Sequence, residues 1–66
     1  MKYKLVKEME PLTKFLIFGV PHLKIKYIDI KGNIRSNYAR VNLVSGLVQY
    51  GPIPDMEFEI IEDKEE

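Results

Sequence analysis

Cysteine is absent from this 66-residue chain, histidine occurs once, and no apolar run exceeds a few residues. Each shortage excludes something. Without cysteine there is neither a disulfide nor a thiolate zinc ligand, and His22 alone cannot assemble a metal site of the usual kind. Stability must come from the 45% hydrophobic residues, alone or with a partner subunit. A domain of about 60 residues buries only roughly 60% of the surface its unfolded chain exposes, so that core is marginal. The longest apolar run, Phe15-Leu16-Ile17-Phe18, falls far short of the roughly 20 residues of a membrane span. Met1-Lys2-Tyr3-Lys4 is basic but lacks the apolar stretch and cleavage site of a signal peptide. The expectation is a cytoplasmic, soluble chain with no membrane partner.

Catalytic parts are equally scarce. His22 follows Pro21 in a break between apolar runs and reads as an ordinary loop residue. Ser36 and Ser45 fall in or beside turns, where serine serves the backbone. Glu57 and Glu59 sit two apart, as exposed alternate positions of an amphipathic strand do. The glycines are scattered and form no phosphate-binding fingerprint. The chain is therefore read as a non-enzyme with no catalytic residue, cofactor or metal.

What is present is a charge asymmetry. Ten basic and ten acidic residues cancel overall. Residues 1–48 nevertheless hold nine basic against three acidic side chains, +6, and residues 49–66 hold one against seven, −6. Such a split asks either for pairing within the chain or for a charged partner.

The periodicity predicts a mainly β chain, a small antiparallel sheet or a partly open barrel of the size of SH3 and OB domains. Residues 1–61 form the domain and 62–66 an acidic disordered tail. Tyr3 to Met9 reads as a strand, with a short helix as the alternative, because Pro11 interrupts any longer helix. Leu12 to Val20 reads as one strand, apolar on both faces, ended by Gly19, Pro21 and His22. Leu23 to Tyr50 reads as a three-stranded meander turning at Gly32-Asn33 and Ser45-Gly46. A three-residue loop, Gly32 to Ile34, sets Tyr27 opposite Ala39, Ile25 opposite Val41 and Leu23 opposite Leu43. A two-residue loop instead sets Lys26 opposite Ala39 and mixes charge with core. The second hairpin sets Val48 opposite Leu43 and Tyr50 opposite Val41. One consistently apolar face results and is expected to be the core. Gly51, Pro52 and Pro54 bend the chain into a last strand carrying Met56, Phe58 and Ile60.

Two candidate surfaces follow. The polar face of the meander presents Lys24, Lys26, Tyr38 and Arg40, with Lys26 opposite Arg40, a repulsive pair that something must offset. A nucleic-acid backbone, with Tyr38 stacking on a base, is one candidate. Glu57 and Glu59 on an adjacent strand are the other, and an overall neutral chain favours them over nucleic acid. Phe15 and Phe18 mark the second surface, for self-association as a homodimer or for docking on another protein. The competing reading is a barrel whose own strands cover both faces.

The stretch Asn37-Tyr38-Ala39-Arg40-Val41-Asn42-Leu43-Val44-Ser45-Gly46-Leu47-Val48, followed by Pro54-Asp55 and Glu57-Phe58-Glu59-Ile60, resembles a pattern in small phage-encoded β proteins. There an "NAVNL-x-TGE" strand-turn-strand precedes a short acidic last strand. Here Arg40 interrupts the Ala-Val step and Ser45-Gly46-Leu47 replaces Thr-Gly-Glu. The resemblance covers residues 23–60, implies a phage or mobile-element origin, and carries over no functional residue. Together these readings give an interaction module that binds another protein or itself, with nucleic-acid binding as the alternative.

Overall fold

Frequent breaks keep every strand short, and a set of antiparallel pairings joins them. The structure, a computed structural model, describes residues 2–62. The expected tail thus lies outside the described residues, apart from Glu62. The strands are β1 (Tyr3–Leu5), β2 (Lys14–Ile17), β3 (Val20–Lys24), β4 (Tyr27–Ile28), β5 (Ile34–Ser36), β6 (Arg40–Asn42), β7 (Val48–Gln49) and β8 (Glu57–Glu59). A 3-10 turn, Val6–Glu8, follows β1, so the ambiguous first segment is strand and then helical turn.

Strands β2-β3-β6-β7 form one sheet, and β1-β8 and β4-β5 form two-stranded ribbons. The β1-β8 ribbon is fastened to the sheet where Phe15 bridges Ile60 and Ile61 N–H donates to Lys14 O at 2.8 Å. The architecture is mainly β with small antiparallel sheets, and among the described residues no barrel closes.

Leu12 to Val20 is not one strand. Phe18-Gly19 closes a two-residue hairpin between Ile17 and Val20, with positive φ at both positions as a type I′ turn requires. Pro21 and His22 lie inside β3, a central strand. The proline fits because its carbonyl and its hydrogen-free nitrogen point the same way, toward Leu43, whose N–H donates to Pro21 O at 2.9 Å. Upstream, Glu10-Pro11-Leu12-Thr13 makes a turn closed by Thr13 N–H to Glu10 O, and Leu12 takes φ +73° at its third position.

The meander exists, with a shifted register. Its first loop has three residues but they are Ile30 to Gly32, closed by Asp29 N–H to Asn33 O. Asp29 Oδ1 accepts the backbone N–H groups of Lys31 and Asn33, and the Asn33 bond is the largest cause holding its carboxyl below the usual range. Gly32, at φ +88°, completes the turn. A bulge then slips the pairing by one, from Ile28 opposite Ile34 to Tyr27 opposite Ser36, and in β3 it is Lys24, not Lys26, that faces Arg40, with Leu23 facing Val41. On the other side Val41 faces Val48, and Asn42 caps the second turn by accepting N–H bonds from Val44 and Ser45. Along β3, β6 and β7 the net shift is two residues, which preserves which side chains share a face.

The buried face is the unexpected one. Phe15, His22 and Lys24 point to the interior, where Val6, Met9, Phe15 and Phe58 form the core with Ile17, Tyr38, Ile53 and Ile60 packed around it. Leu23 and Val41, expected in the core, are half-buried, and Leu43, Val48 and Tyr50 are exposed. Ala39 is fully buried as expected. The reason is non-local. The β1-β8 ribbon and the 3-10 turn arrive on the side of Phe15, and a ribbon from the termini can cover only one face.

Leu12 and Phe18 are bulky residues in the left-handed region, which costs roughly 1–2 kcal/mol per residue. Leu12 is 73% exposed and loses little if shortened. Leu12→Asn should therefore raise stability by about 1 kcal/mol, read as a higher urea midpoint. Phe18→Asn should gain less, because Phe18 also meets Phe58 edge to face at 6.4 Å between centroids.

Candidate interaction surfaces and a cationic cavity

Of the four residues expected on an open basic face, three are engaged inward. Lys24 is only 6% exposed, and its Nζ donates to Met9 O at 3.0 Å. Burial lowers its pKa. Arg40 is half-buried; its Nη1 donates to Tyr38 O and to Gly51 O, both at 2.8 Å. Burial lowers its pKa too, and its Nε is buried without a partner among the described residues. Tyr38 is half-buried against the core. Only Lys26 is exposed. The four do not form an open stacking platform.

Glu57 and Glu59 do not lie beside Lys24 and Arg40. Backbone carbonyls take both cations instead, and β8 lies elsewhere, with Glu57 opposite Leu5 and Glu59 opposite Tyr3. There the acidic end meets the basic start of the chain. Lys2 pairs with Glu62 at 3.5 Å and Lys7 with Asp55 at 3.7 Å, both largely exposed. Each contributes about 0–1 kcal/mol. Lys24, Lys26, Lys31, Arg35 and Arg40 have no ion pair among the described residues; Arg35 lies 5.7 Å over the Tyr27 ring.

The second expected surface divides. Phe15 is fully buried at the centre of the core and cannot serve association. Phe18 is 85% exposed on its hairpin. His22 is not a loop residue: it is buried in β3, 5.8 Å from the Phe15 ring. A carbonyl can only accept, so Nδ1 carries the hydrogen it gives Val20 O at 2.8 Å. Its neighbours serve packing, and no group of acids, histidines or cysteines able to hold a metal occurs among the described residues.

Two features were missed from sequence. The first is a largely apolar outer face on the four-stranded sheet, where Leu16, Pro21, Leu23 and Val41 are half-buried, Val48 is exposed, and Lys14 stands opposite Leu23 at one edge. Alternation identified the Leu23–Val41–Val48 part of this face and assigned it to the interior. The second is a cavity of about 170 Å³ whose lining includes Lys7, Lys24, Lys26, Met9, Tyr27 and Ile34. Nothing in the local pattern signals it, because Met9 and Lys24 meet through tertiary packing.

Lys24 makes a pH prediction. Its pKa lies below 10.5 in the folded chain and near it when unfolded, so between those values the unfolded chain binds more protons. Stability should rise with pH across that window. Lys24→Met keeps the buried stem and lacks the titration, so the difference in urea midpoint, wild type minus variant, should increase from pH 8 toward pH 10.5. Phe15→Ser should lower stability by about 3–5 kcal/mol, seen as loss of the folded baseline in circular dichroism. No family model, curated protein or solved structure matches this chain.

Proposed function

We propose that this chain is a small non-catalytic protein-interaction module, of phage or mobile-element type, whose outer sheet face takes a second copy of itself. The observation that carries this reading is the largely apolar, only partly covered outer face of the four-stranded sheet, centred on half-buried Leu23 and Val41 and exposed Val48. Among the described residues five apolar side chains are buried while twelve large ones stay exposed, among them Leu43, Leu47 and Val48 around the second turn. That balance leaves a thin core and a surface that association would cover. A formal net charge of zero opposes self-association little. The phage-type origin rests on the hairpin resemblance alone.

Nucleic-acid binding has less support, since Lys24 is buried and Arg40 and Tyr38 are half-buried, so that they form no open face for a polymer. No described helix is long and apolar enough to cross a membrane.

Sedimentation equilibrium tests the proposal. The wild type should show a concentration-dependent dimer. Val48→Glu, at an exposed position, should shift it to monomer with unchanged circular dichroism, because a carboxylate desolvated in an apolar interface is strongly unfavourable. A strict monomer at millimolar concentration, or a dimer indifferent to Val48→Glu, would overturn it.

A further inference from the structure

We infer that the cavity lined by Lys24 is a binding site for a small carboxylate with an apolar body. The site shares no residue with the outer sheet face and stands or falls independently of self-association. An ammonium has three donors, and Lys24 places one, on Met9 O at 3.0 Å. Nothing among the described residues accepts the other two, although the side chain is more than nine-tenths buried. A buried cation with no acidic partner is costly and is relieved by an anion that reaches its free donors.

The surroundings favour that anion. Lys7 and Lys26 also line the cavity and no aspartate or glutamate does. Lys7 is already paired with Asp55, whereas Lys26 has no ion pair among the described residues. In a recess walled by protein the fields of three cations add with less screening than at an open surface.

The walls decide what the anion carries. Met9, Ile25, Tyr27, Ile28 and Ile34 supply apolar surface, which a bare phosphate or sulfate would leave unfilled. The cavity volume of about 170 Å³ is close to the roughly 150 Å³ that admits a benzene molecule. The ligand class is therefore a monocarboxylate with one ring or a short branched chain, its carboxylate on Lys24 and Lys26 and its body against the isoleucines.

Benzoate is the probe, titrated into the isotope-labelled full chain by amide NMR. Saturable shifts should centre on Met9, Ile25 and Tyr27. Benzamide, the neutral isostere, should bind at least about tenfold more weakly because it lacks the charge-assisted hydrogen bond, and inorganic phosphate similarly because it leaves the apolar walls unfilled. Lys24→Gln should weaken benzoate by a similar factor. Because Lys24 is buried, the exposed Lys26→Gln serves as the variant safe for folding, and should weaken benzoate several-fold. Equal binding of benzoate and benzamide, non-saturating shifts, shifts centred elsewhere, or phosphate binding as well as benzoate would each overturn the assignment.

Discussion

The fold depends on the burial of one ring, Phe15. Its strand pairs with β3 through His22 on one side and bridges Ile60 on the other, while its side chain touches the rings of His22 and Phe58. Through it the ribbon made by the chain's two ends is joined to the hairpin sheet made by its middle. Among the described residues the buried side chains Val6, Met9, Phe15 and Phe58 form one cluster, so the topology on both sides is referred to this contact. The choice of which sheet face becomes interior follows from it.

That choice explains the unusual placement of charge. Lys24 and Arg40 lie on the side that the ribbon covers, and each donates to main-chain carbonyls. The bend at Gly51 is tied to β6 through Arg40, and the segment at Met9 is tied to β3 through Lys24. Both cations therefore act as cross-links between distant parts of the chain, a role open to a long side chain whose stem is apolar and whose head donates several bonds. The acidic end, meanwhile, answers the basic start: β8 against β1, Glu62 near Lys2, Asp55 near Lys7. The +6 and −6 halves are partly matched at the termini, and the middle of the chain keeps its excess of positive charge.

Much of the strand pattern was legible. The β class, the meander, the bend after Tyr50 and the last strand with Phe58 inward all follow from alternation and turn residues. A helical turn in the first segment was visible as an ambiguity and turned out to coexist with a strand. Turn details were less legible. Phe18 and Leu12 occupy left-handed positions that favour glycine or asparagine, so their residue types argued against turns there. Pro21 argued against a central strand, and only the direction of its missing donor reconciles it with one. The bulge beside Tyr27 slipped the pairing by one residue, while along β3, β6 and β7 the net difference from expectation is two, which leaves the same residues sharing a face.

By itself the sequence determined the alternation: which residues stand together on each side of the central strands, because side chains in extended backbone alternate strictly. It also determined that no disulfide shapes this fold. Only the tertiary structure decided which side is interior. Alternation is a local property and is symmetric between the two faces, whereas burial depends on where the β1-β8 ribbon docks, a contact between residues up to the length of the chain apart. Hence Leu23, Val41 and Val48 were correctly grouped and wrongly placed inside, while Lys24, correctly set on the opposite face, came to line a cavity instead of an open surface.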